Sequence, residues 1–154
     1  MRKQEKNTPL FIEIVSALLL FLFLYTSISK LKDHHAFQVV LAKSPLLGTY
    51  SVLLSWAIPV VEIITSALLF IPATRKRGLQ LSFTLMLFFT TYIAYMILFA
   101  SNLPCSCGGV LQELSWTQHL VFNIIFLLLN IFALWHYRRN ELFIAINRNS
   151  RTPV

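Results

Sequence analysis

The chain has 154 residues, 56% of them hydrophobic and only 12% charged, with a mean hydropathy of +0.68. That balance excludes an ordinary soluble domain, and the apolar runs leave no room for a separate water-soluble one. The formal net charge of +7 is gathered in blocks between those runs, which speaks for membrane topology and against nucleic-acid binding.

Four apolar runs occupy about residues 10–28, 50–71, 78–100 and 116–137. Each is close to the roughly 20 residues that carry a helix across a bilayer. Backbone polar groups inside lipid must be paired within the segment, so helices are expected. The strand alternative needs repeated alternating segments of about ten residues, and the sequence contains none. The predicted architecture is all-α: an integral membrane four-helix bundle, a single four-span domain over residues 1–154 with a tail at 138–154.

Arg2, Lys3 and Lys6 precede the first run. The run is too long for a secretory h-region and no small-residue cleavage site follows it, so it is expected to be an uncleaved helix. It ends near Ser29, and Lys30–Ala42 continues as an amphipathic segment suited to a short helix on the outer interface, with Leu31, Phe37, Val40 and Leu41 apolar. Ser44-Pro45 and Gly48 break it. The second run carries Pro59, which removes a backbone donor, and Pro72 closes it before Arg75-Lys76-Arg77. Leu103-Pro104 ends the third run. The fourth ends in Trp135, His136, Tyr137, Arg138 and Arg139, an aromatic and basic girdle, and the tail beyond has weak amphipathic character.

The basic blocks before the first span, between the second and third, and after the fourth define a cytoplasmic side. The 101–115 connector holds no Lys or Arg. The reading is N-in, C-in, a multi-pass protein of a bacterial inner membrane, with that connector facing the exterior and membrane lipid as the surrounding partner.

Cys105 and Cys107, the only cysteines, lie in that connector beside Gly108 and Gly109. One intervening residue makes any disulfide between them a very small ring, and ring strain makes a disulfide easier to reduce. The competing readings are a static disulfide or inert thiols, and a metal site. Zinc wants four ligands and only His34, His35, His119 or His136 could complete them, with His136 expected on the opposite side; copper(I) accepts two thiolates. No metal is assigned. A single cysteine pair also means that its electrons must pass to another protein or to a bound cofactor.

Glu62 lies near the middle of the second span, where an ionised carboxylate is costly. Ser55, Pro59, Glu62 and Ser66 share one helix face. Glu62 is read either as a proton relay or quinone contact, or as an interhelical hydrogen-bond anchor. His119, Asn123 and Asn130 form a stripe on the fourth span; asparagines in lipid commonly bond across helices. His119, near the outer end, is either a group favouring the reactive thiolate or an interfacial histidine. Glu13, Lys30 and Tyr95 are expected at span ends, as interfacial residues.

Ser27-Ile28-Ser29-Lys30-Leu31 with Phe37, Pro59-Val60-Val61-Glu62 with Leu68-Leu69, Cys105-Ser106-Cys107-Gly108-Gly109 and Asn123 together resemble the MauE-type membrane proteins of the broader DoxX-like superfamily, over about residues 10–135. The loop departs from that pattern at Gly108, where Phe is common. The resemblance implies a four-helix inner-membrane protein handling thiols and disulfides outside the cytoplasm, linked to maturation of the disulfide-rich methylamine dehydrogenase. More loosely, the superfamily implies quinone-linked oxidoreductase chemistry. The expected function is a thiol/disulfide redox protein, an oxidoreductase in that reading, exchanging electrons through Cys105 and Cys107 with a thioredoxin-like or secreted client. His119 and Glu62 are its further candidate site residues. The alternatives are a non-catalytic assembly subunit or chaperone, and a small transporter or metal carrier.

Overall fold

The computed structural model describes residues 10–44, 47–99 and 115–149, with side chains described through Asn140 in the last segment. Cys105 and Cys107 lie outside the described residues. Five helices follow one another: α1 (Leu10–Lys32), α2 (His34–Ala42), α3 (Ser51–Phe70), α4 (Arg75–Phe99) and α5 (Trp116–Asn149), with a short 3₁₀ turn at Gly48–Tyr50 before α3. No strand occurs among the described residues. Four helices are long and apolar enough to cross a membrane: Leu10–Lys32, Gly48–Phe70, Arg75–Phe99 and Trp116–Asn140.

These four form a closed ring in chain order, α1 against α3, α3 against α4, α4 against α5 and α5 back against α1, while α2 lies against α3. The seam of α1 explains the arrangement. Ile12, Ser16, Leu19, Phe23 and Ser27 are buried at steps of three and four, the spacing of one helix face. Isoleucine, phenylalanine and other large side chains on the remaining surface are exposed, Ile14, Leu18, Phe21 and Ile28 among them, as they must be where the neighbour is lipid rather than water. The core is built from Ile12, Val15, Leu19 and Phe23 of α1, Leu69 of α3, Leu79 and Met86 of α4, and Ala133 and Tyr137 of α5.

Small and polar residues bring the helices together. Ser66 donates to the Glu62 carbonyl (3.0 Å) and reaches the Leu20 carbonyl of α1 (3.4 Å). On the other seam, Asn130 is fully buried against α4. Its amide oxygen accepts from the Ser82 hydroxyl (2.5 Å) and the Phe83 backbone N–H (3.0 Å), and its amide nitrogen donates to the Leu79 carbonyl (3.2 Å). Asn130 therefore has the interhelical bonding role that its position in an apolar run suggests. α5 opens on a reciprocal cap: the Gln118 N–H donates to the Ser115 hydroxyl (3.3 Å), and the Ser115 N–H to the Gln118 side-chain oxygen (2.9 Å).

Two boundaries differ from those read in the sequence. α1 does not stop at Ser29 but runs three residues further, to Lys32, which carries the half-buried Lys30 onto the face of the buried Phe23 and Ser27. The helix after the aromatic and basic girdle does not end there either: α5 continues to Asn149 and is 34 residues long, about 51 Å at ~1.5 Å per residue, so its last turns extend beyond a hydrocarbon core of about 30 Å.

The tightest approach is at Gly78, where α4 begins beside the end of α3. A Cβ there would stand 2.8 Å from the Leu69 nitrogen and 2.9 Å from the Leu68 carbonyl carbon, backbone atoms that cannot move aside. Alanine ordinarily favours a helix over glycine by up to about 1 kcal/mol; here overpacking, about 1–3 kcal/mol, should win. Gly78→Ala is expected to lower the unfolding midpoint in detergent micelles.

Candidate functional site

The site begins with the extension of α1. By running on past Ser29, the helix carries Lys30 on the same face as Phe23 and Ser27, turned into the bundle. The expectation that Lys30 is an interfacial residue is thus corrected: its ammonium pairs with the Glu62 carboxylate of α3, Nζ to Oε1 2.5 Å. The Lys30 side chain is 17% exposed and that of Glu62 1%. Glu62 reaches this position because Ser55, Pro59, Glu62 and Ser66 all lie on the buried face of α3. Pro59 sits inside the helix and is itself buried.

Aromatic rings enclose the cation. The Lys30 ammonium stands 5.7 Å from the centroid of Phe37 and 5.3 Å from that of Phe89, within the range of a cation–π contact. Phe37 comes from α2 and Phe89 from α4, so one charged side chain gathers four helices. Glu62 Oε2 is buried and has no hydrogen-bond partner among the described residues. Thr26, whose hydroxyl donates to the Phe23 carbonyl (3.2 Å), stands beside the same carboxylate.

Beside the pair lies a cavity of about 110 Å³. Its walls are apolar, including Phe37, Phe89 and Phe122, and its polar lining consists of Thr26, Lys30, Glu62, Tyr92, His119 and Asn123. The structure thus brings Glu62 and His119, two residues singled out in the sequence, to one cavity, together with Asn123. His119 is half-buried and lies within electrostatic range of Lys30. His136 is at the other end of α5, against Phe11 (5.7 Å between centroids). Glu13 is also at that far end, 3.5 Å from Arg75, and Tyr95 stacks on Phe99 (5.0 Å) without lining the cavity. Among the described residues, no three of His, Cys, Asp and Glu group as metal ligands.

Sequence reasoning placed Lys30 at the interface and did not single out Tyr92 or the aromatic enclosure. The signal for Lys30 was present: it is the next member of the 12–16–19–23–27 stripe. Tyr92 and Phe89 carry no comparable mark, because apolar and aromatic residues fill every face of α4.

The fold is that of a multi-pass membrane protein with a polar-lined cavity in one half of its bundle. The family described as methylamine utilisation protein MauE matches residues 8–136, and the chain belongs to that family. No curated protein and no solved structure matches it.

The pair makes a direct prediction. Removing one partner of a buried ion pair leaves an uncompensated charge and typically costs about 3–5 kcal/mol. Lys30→Met strands the carboxylate and Glu62→Gln strands the ammonium, so both are expected to lower stability in micelles by an amount of that order. A loss confined to one variant, or absent from both, would count against an ion pair.

Proposed function

We propose that this protein is an inner-membrane thiol/disulfide exchange protein, with Cys105 and Cys107 as the redox couple and a thioredoxin-like or secreted protein as client. The observation that carries the reading is membership of the MauE family, combined with the position of the two cysteines in the α4–α5 connection. The lining of the Lys30–Glu62 cavity supports it, because α4 and α5 contribute the halves nearest that connection: Phe89 and Tyr92 from α4, His119 and Asn123 from α5.

The exchange balances without further reagents. A thiolate on the reduced partner attacks one sulfur of the oxidised partner's disulfide, giving a mixed disulfide and releasing one thiolate. The second thiol of the reduced partner then displaces the mixed bond, so two electrons and two protons pass from dithiol to disulfide. With a single cysteine pair, each turnover ends with transfer to a second protein or acceptor. By the family's description, the pathway served is methylamine utilisation, with a disulfide-rich enzyme such as methylamine dehydrogenase as the fitting client. The basic ends support an N-in, C-in orientation: Lys76 lies over the Tyr137 ring (6.0 Å) and Arg139 over Trp135 (5.4 Å), so the blocks at the start of α4 and after the fourth span share one side of the bundle.

Trapping the cysteines in growing cells with acid and a heavy maleimide tests this. The reading expects a pair that shifts during a brief reductant pulse and recovers within minutes, with single Cys105→Ser or Cys107→Ser variants accumulating a mixed disulfide. A pair that stays oxidised through mild reduction, in a protein whose double serine variant still functions, would identify a static clamp in an assembly subunit.

A further inference from the structure

The cavity beside Lys30 has the features of a ligand site, and these stand apart from the thiol/disulfide reading. Its volume of about 110 Å³ is of the same order as apolar protein cavities of about 150 Å³ that take up a single benzene ring. Aromatic side chains wall it, among them Phe37 of α2, Phe89 of α4 and Phe122 of α5. A purely apolar void in a bundle needs no polar groups, yet six polar residues line this one. Asn123 is 6% exposed and lines the cavity, and its amide has no hydrogen-bond partner among the described residues. Glu62 Oε2 is buried and equally unpartnered. Lys30 has one hydrogen bond among the described residues, to Glu62, and an ammonium has three donors.

These groups restrict the ligand. Lys30 and Glu62 compensate each other, so a charged ligand would bring an unbalanced charge into the membrane interior, which is costly. A ligand without polar atoms would leave the Asn123 amide and the spare ammonium donors unsatisfied. A hydroxyl is the smallest neutral group that both accepts from Lys30 and donates to an acceptor such as the Asn123 side-chain oxygen. We propose that the cavity binds a neutral, lipid-soluble phenolic ring, the ring held among the phenylalanines and the hydroxyl bonded to Lys30 and Asn123.

The test is equilibrium dialysis of 4-butylphenol, butylbenzene and 4-butylbenzoate against the full chain in lipid nanodiscs, with partitioning into empty nanodiscs subtracted. A hydrogen bond to a charged group is worth roughly tenfold or more in affinity, so butylphenol is expected to bind saturably and about tenfold more tightly than butylbenzene. Asn123→Leu should reduce that ratio, and Phe89→Trp, which fills the cavity while keeping an aromatic face for Lys30, should weaken butylphenol binding. Equal affinity of the phenol and the hydrocarbon would mean that the space is occupied by acyl chains, and would overturn the proposal. So would tighter binding of the benzoate, or no saturable binding at all. The same measurements on the Cys105→Ser, Cys107→Ser protein should be unchanged, so failure of this proposal and failure of the redox reading are separable.

Discussion

The Lys30–Glu62 ion pair is the constraint around which the cavity half of this bundle is organised. Each charge alone would be expensive inside a bilayer, and desolvation of both is offset only by close geometry and supporting contacts. That requirement reaches outward. It demands that α1 continue past Ser29 so that Lys30 faces inward, and that α3 remain helical through Pro59 so that Glu62 meets it. It also draws Phe37 of α2 and Phe89 of α4 to the cation, at 5.7 and 5.3 Å. The other half, toward the basic ends, uses a different device: close apolar packing around Leu19, Leu69 and Leu79, with Asn130 bonded to α4.

The division between the halves suits a membrane protein with work at one surface. Among the described residues, the tightly packed half encloses no comparable polar-lined void and ends in aromatic and basic residues, which fix its position relative to the bilayer. The cavity half keeps a void, an unpartnered carboxylate oxygen and an unpartnered amide. Natural cores seldom retain such groups without reason, since each one unsatisfied costs about 1–3 kcal/mol. Their meeting at one void, beside the helices that lead to the cysteine-bearing connection, is what makes this half the functional one in our account.

Much of the fold is legible in the sequence. The apolar runs are long, distinct and separated by proline or charge, so four helices follow from hydropathy alone, and the bounds of α3 and α4 fall within a few residues of those expected. The polar face of Ser55, Pro59, Glu62 and Ser66 is equally legible, because polar residues in lipid stand out against an apolar background. Lys30 was obscured for a physical reason: lysine near the end of a span ordinarily snorkels to the interface, and only its register with Phe23 and Ser27 distinguishes an inward lysine from an outward one. Residues such as Phe89 and Tyr92 are beyond sequence reasoning, since lipid-facing and cavity-facing aromatics look alike when every face of a helix is apolar. The disposition of Cys105 and Cys107 lies outside the described residues, and their role rests on family membership and position in the chain.

The organisation of the cavity half depends on Lys30 and Glu62 acting as a unit. A double-mutant cycle with Lys30→Met, Glu62→Met and the two combined, followed by reversible unfolding in mixed micelles, measures this directly. If the pair is the organising contact, each single variant strands a charge, and the double variant, having none to strand, is more stable than either. Losses that simply add in the double variant would show two independent residues and contradict the central claim.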